Sequence, residues 1–91
     1  MKYSLIVNPH GGVKSGLKIL EKVKPFFEEA DADLNIIETE YAGHARDIAS
    51  EVPLDGFTGL CAIGGDGTMH EMVNGMMNRK DGRQIPIGLI T

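Results

Sequence analysis

The sequence predicts an open α/β fold, a Rossmann-like parallel sheet with its elements in βαβαβαβ order. Three observations carry that expectation. Short apolar, β-rich runs recur along the 91 residues, stretches with apolar positions at helical spacing separate them, and two glycine-rich segments each directly follow a run. Strands that alternate with helices are joined by right-handed crossovers, which makes the strands parallel and lays the helices on the sheet.

The elements follow in order. Tyr3-Ser4-Leu5-Ile6-Val7 is a buried strand, because a mostly apolar run stops at the turn residues Asn8-Pro9-His10-Gly11-Gly12. From Leu17 to Ala30 the apolar positions Leu17, Leu20, Val23 and Phe27 recur at helical spacing among Lys and Glu, the pattern of an amphipathic helix. Pro25 lies inside it, lacks an amide proton and disfavours helix at Lys24, so the segment is kinked or split there, and a kink is expected. Leu34 to Glu38 reads as the second strand, Thr39 to Gly43 as a polar loop, and Ala45 to Glu51 as a helix that Pro53 ends. Gly59 to Ile63 is the third strand. After Gly64-Gly65-Asp66-Gly67-Thr68 comes a helix from Met69 to about Asn78, and Pro86 to Ile90 is the last strand.

Composition narrows the function classes. Hydrophobic residues make up 42% and charged residues 24%, the balance of an ordinary globular domain. The formal net charge of -4 argues against nucleic acid as a partner. Lys14, Lys18 and Lys22 are spaced to line one side of a helix, most simply a solvated face. Cys61 has no partner for an internal disulfide, and its apolar neighbours predict a buried thiol in a reducing compartment, which favours a cytoplasmic protein. The apolar runs fall far short of the roughly 18 residues a membrane span needs, and the start resembles no signal peptide, so membrane contact is expected to be peripheral.

The chemistry concentrates after the third strand. Three glycines around one carboxylate, Gly64-Gly65-Asp66-Gly67-Thr68, between a strand and a helix let backbone amides approach a phosphate closely. A carboxylate beside a helix N-terminus is stabilised as the anion, so Asp66 either holds Mg²⁺, accepts a proton from an attacking hydroxyl, or only stabilises the turn. Thr68-Met69-His70-Glu71 fits a capping box, with Thr68 as cap and Glu71 reaching back to it, and Glu71 is equally suited to touch a ligand at that helix end. Asn8 to Gly16 is not a P-loop, since Gly16 is followed by Leu17, and no Gly-x-Gly-x-x-Gly follows the first or third strand. His10, His44 and His70 form no close-spaced ligand pair. Met69, Met72, Met76 and Met77 read as core or interface packing. In such sheets ligands bind outside the carboxyl ends of the strands, so both glycine-rich segments should meet there.

Asn8 to Gly12 and Gly64 to Thr68 resemble, in order and separation, the Asn-Pro-x-x-Gly and Gly-Gly-Asp-Gly-Thr motifs of the catalytic domain shared by diacylglycerol, ceramide and sphingosine kinases. Thr39 to Ala45 is similar to that family's Thr-x-x-x-x-His-Ala segment, and Met69 to Gly75 resembles sphingosine kinases in particular. The resemblance implies the N-terminal, nucleotide-binding part of a lipid kinase catalytic domain across residues 1–91, with ATP and Mg²⁺ as cofactors and a lipid hydroxyl at a membrane surface as acceptor. It implies that Asn8, Pro9 and His10, with Gly11 and Gly12, lie along the ATP phosphates or ribose, and that Thr39, Glu40, Tyr41, Ala42 and Gly43 close over the nucleotide. Gly64, Gly65, Gly67, Thr68 and Glu71 would contact ATP, with Asp66 at the transfer centre as base or metal contact. A third glycine-rich motif and a C-terminal β-rich domain belong to the family pattern and do not follow here. The expectations are therefore a chain that binds ATP weakly at best and transfers no phosphate by itself, and self-association of any apolar surface left uncovered.

Overall fold

The computed structural model describes residues 1–9 and 16–90. Seven elements alternate as expected: β1 (Lys2–Val7), α1 (Gly16–Glu29), β2 (Asp33–Glu38), α2 (His44–Glu51), β3 (Gly59–Ile63), α3 (Asp66–Met77) and β4 (Ile87–Ile90). They build one four-stranded sheet of order β2-β1-β3-β4 in which every pairing is parallel.

β1 is an interior strand because its residues suit both faces of the sheet. Leu5 and Val7 cluster with Ile63 and with Leu20 of α1, whereas Ile6 between them clusters with Leu60 and Ala62 and with Ala45, Ala49, Met72 and Met76 of α2 and α3. The register Leu5↔Cys61, Ile6↔Ala62, Val7↔Ile63 keeps the alternation in phase across the two central strands. The result is three layers, with α1 on one face and α2 with α3 on the other.

α1 passes through Pro25 as one element rather than splitting there. Its end is set by Asp31, whose φ of 59° lies in the left-handed region and lets the Ala32 amide fold back to donate to the Phe27 carbonyl at 2.9 Å. Edge-to-face packing of Tyr3 on Phe27, with ring centroids 5.7 Å apart, ties that end to β1. Lys18 and Lys22 are exposed, as a solvated face requires, and so is Phe26.

α2 and α3 approach almost backbone to backbone. A Cβ added at Gly75 would lie 2.1 Å from the Arg46 carbonyl oxygen and 2.9 Å from the Ala49 Cβ, so only glycine fits, despite its cost inside a helix. Met72 and Met76 are buried in the core and Met69 packs against it, which bears out the packing role, but Met77 is 69% exposed. Beyond α3 the chain is fastened by Arg79, whose side chain is only 5% exposed. Its guanidinium donates to the carbonyls of Ala49 (3.0 Å) and Val52 (2.7 Å) at the end of α2, and bidentately to the Asp81 carboxylate (3.0 and 2.7 Å).

Two expectations need correction. α3 begins at Asp66 rather than Met69, and its cap is Gly65, which offers no side-chain bond, so Thr68 is not an N-cap and there is no capping box with Glu71. Thr68 instead turns inward in the first helical turn and packs against Gly64, where an added Cβ would meet its Oγ1 at 2.8 Å. Cys61 is half-buried rather than buried, since it lies on the α1 side of β3 beside Gly88 of β4, whose missing side chain leaves the sulfur only partly covered. Partial burial still pushes its thiol pKa up.

Candidate functional site

Three segments leave the sheet at one level on its carboxyl edge. The Asn8 amide donates to the Ile63 carbonyl (3.4 Å), the Thr39 amide to the Val7 carbonyl (2.8 Å) and the Gly64 amide to the Ile90 carbonyl (3.4 Å), so the ladders run on past the strands. From β1 the chain goes outward to β2 and then returns past β1 to β3, which puts the reversal of strand order between β1 and β3. A crevice opens at such a point because the connections on either side diverge to opposite faces.

A cavity of about 310 Å³ occupies this edge. Its wall is made by Asn8 after β1, by Thr39, Glu40, Tyr41 and Ala42 after β2, by Ala45 in the first turn of α2, and by Thr68 and Glu71 of α3. Seven of these eight are residues singled out in the sequence; Ala45 was missed as a wall residue, although it sits in the His-Ala pair that closes the loop motif. Among the other predicted residues, Pro9, Gly43, Gly64, Gly65, Asp66 and Gly67 are not in the wall, and His10, Gly11 and Gly12 lie outside the described residues.

Asp66 and its glycines stand beside the cavity, at the start of α3. The first bond of the helical ladder runs from the Met69 amide to the Gly65 carbonyl (3.2 Å), so the amides of Asp66, Gly67 and Thr68 precede the ladder at the positive end of the helix dipole. Gly64 is demanded by its contact with Thr68. Gly65 and Gly67 are not: a Cβ at either would meet no described atom within 4 Å, and neither has a positive φ. Space that the fold does not use is space a bound group can approach.

The loop from Thr39 to Gly43 is held by the start of α2. Gly43 turns the chain with φ 88°, the His44 amide donates to the Tyr41 carbonyl (3.1 Å), and the Glu40 amide donates to His44 Nδ1 (2.9 Å). The Tyr41 ring stacks on the His44 imidazole at 4.3 Å between centroids and 17° between planes, and its hydroxyl donates to Asp47 Oδ2 (2.9 Å). That bond to Asp47, reinforced by a little burial and by the Asp47 charge, raises the Tyr41 pKa above the ordinary phenol value.

Two carboxylates, Glu40 and Glu71, accept from ribose hydroxyls or a base amine but repel phosphate, whereas the amides at the start of α3 attract phosphate. Among the described residues no three of His, Cys, Asp and Glu come together as a metal cage. Mg²⁺ in phosphoryl-transfer sites needs no such cage, because one or two carboxylates and the substrate phosphates hold it; Asp66 supplies one carboxylate at the start of α3.

Residues 2–91 match the diacylglycerol kinase catalytic domain, and the chain belongs to that family. Within it, similarity runs to sphingosine kinases. The chain is 40% identical over 93 residues to sphingosine kinase 1 of Arabidopsis thaliana, covering 98% of this chain and 19% of that protein. It is 40% identical over 78 residues to sphingosine kinase 1 of Mus musculus, covering 85% of this chain and 20% of that one. The chain thus spans about a fifth of the length of these curated relatives. A solved diacylglycerol kinase from Bacillus anthracis str. Sterne superposes with a TM-score of 0.75 at 29% identity, over 98% of this chain and 32% of that one. No helix among the described residues is long and apolar enough to cross a membrane.

Proposed function

We propose that this chain is the nucleotide-binding part of an ATP-dependent lipid kinase that transfers the γ-phosphate to the hydroxyl of a diacylglycerol or a sphingoid base. The observation that carries the reading is the carboxyl-edge cavity, where residues from three separate sequence motifs form one wall beside the helix start that bears Asp66.

Charge divides the site. The nucleoside occupies the cavity, with Glu40 and Glu71 accepting its hydroxyl or amine protons, and Asn8 and Thr68 contributing polar contacts. The phosphates run out to Gly64, Gly65 and Gly67, where side-chain-free backbone and the first amides of α3 receive them. His10, Gly11 and Gly12 belong to the same phosphate path by the family motif. In the reaction the lipid hydroxyl oxygen bonds to the γ-phosphorus as its bond to the β,γ-bridging oxygen breaks, ADP leaves, and the hydroxyl proton is lost. Asp66 serves the transfer centre, as acceptor of that proton or as a ligand of Mg²⁺, which when bound neutralises charge on the phosphates. The lipid acceptor places the whole enzyme at a membrane surface.

Calorimetric titration of the chain with ATP and Mg²⁺ tests the binding half. Saturable binding that ADP displaces is expected, and its absence at millimolar ATP would sink the proposal. Transfer of labelled phosphate to diacylglycerol and to sphingosine, measured in parallel, separates a nucleotide-binding module from a complete kinase and identifies the acceptor.

A further inference from the structure

His44 touches no part of the cavity, yet its side chain holds two residues that do. Its Nδ1 accepts the Glu40 amide and its ring backs the Tyr41 ring, so Glu40 and Tyr41 hang from one side chain at the start of α2, while Ala42 lies inside the turn that the His44 backbone amide closes onto the Tyr41 carbonyl. A backbone amide only donates, so Nδ1 carries a lone pair and the neutral ring keeps its proton on Nε2. Asp47, one turn along α2, pins the far end of the tyrosine.

We infer that His44 is a positioning residue for the nucleotide, acting through its Nδ1 acceptor: it holds the Thr39–Ala42 wall in binding geometry before the ligand arrives. The inference rests on the proposed nucleotide reading of the cavity. Without the acceptor, the Glu40 amide turns to water and the loop samples other conformations, and binding then bears the cost of reordering it. Asp47 leaves Tyr41 tethered at its hydroxyl, so the loss is partial rather than complete.

Two substitutions separate the acceptor from the ring. His44→Phe keeps the aromatic face against Tyr41 and removes the acceptor, whereas His44→Asn removes the ring and keeps an acceptor, since Asn Oδ1 hangs from Cγ as His Nδ1 does. By calorimetry, His44→Phe should weaken ATP binding about three- to tenfold, the worth of one such hydrogen bond, while His44→Asn stays within about twofold of the parent. Amide exchange of Glu40 followed by NMR without nucleotide should rank the three proteins in the same order. If His44→Phe binds as the parent does, or if the order of the two variants is reversed or equal, the acceptor role is overturned while the kinase reading stands. If the parent itself binds no ATP, the kinase reading falls, and the Glu40 exchange rates alone decide whether His44 anchors the loop: faster exchange in His44→Phe than in His44→Asn upholds it, and any other order overturns it.

Discussion

Arg79→Ala should be one of the most damaging single changes outside the core. The last turn of α2 has a built-in defect, because the Ala49 carbonyl looks four residues ahead for a donor and finds Pro53, which has no amide proton. Arg79 fills that gap from just past the end of α3 at 3.0 Å and takes the Val52 carbonyl at 2.7 Å with the same nitrogen. Hydrogen bonds from a charged donor are worth about 1.5–3 kcal/mol each, so losing both at the lower figure costs about 3 kcal/mol. A domain this small loses roughly 4–8 °C of Tm per kcal/mol, which puts the fall at roughly 12–24 °C. The assay is thermal unfolding by circular dichroism at neutral pH, with Arg79→Lys beside it; a lysine ammonium reaching one carbonyl should recover about half of the loss. A melting point for Arg79→Ala within about 2 °C of the parent would refute the reasoning, because it would mean that water satisfies both carbonyls as well as the guanidinium does.

Further outcomes follow from the same geometry. Gly75→Ala forces α2 and α3 apart at the Arg46 carbonyl and should cost about 3 kcal/mol or more in denaturant unfolding, where an unstrained helix site would gain stability from alanine. Glu71→Ala should leave the stability of the ligand-free chain within about 0.5 kcal/mol of the parent, since no capping box exists to lose, and should weaken ATP binding in calorimetry; the reverse result would restore the cap. Asp66→Asn in the full-length enzyme should abolish phosphate transfer while changing ATP affinity far less, as backbone amides supply the phosphate contacts; retained turnover would make Asp66 a turn residue. The bidentate bond from Arg79, aided by the Arg83 amide, lowers the Asp81 pKa from 3.8 to about 2. A depressed carboxylate pKa stabilises the fold above the unfolded value and loses that contribution as pH falls through the folded one, so the stability gap between the parent and Asp81→Asn should be constant above pH 3.8 and close on approach to pH 2. A gap that does not narrow in acid contradicts the pairing.

The sequence by itself determined the alternation of elements, the parallel sheet and the meeting of the segments after β1 and β3 at its carboxyl edge, because these rest on local rules: β-rich apolar runs, helical periodicity, and glycines placed directly after strands. The Thr39–Ala42 part of the cavity wall came only from the family resemblance, and Ala45 was missed. Strand bounds came within a residue of those observed, from Tyr3 against Lys2 at the first strand to Pro86 against Ile87 at the last. What only the tertiary structure decided was how each side chain is used. Thr68 fits a cap by spacing, but capping depends on where the helix begins, and packing against Gly64 draws Thr68 into its first turn. Cys61 has apolar neighbours in the chain, but its cover depends on Gly88, a partner 27 positions away across a sheet pairing. Arg79 reads as one more surface charge until α2 and α3 are packed together and the carbonyl that Pro53 cannot serve lies within its reach. Spacing along a chain encodes what neighbours in sequence do to each other, whereas burial and hydrogen-bond partners come from residues far apart that meet only once the sheet has ordered its strands.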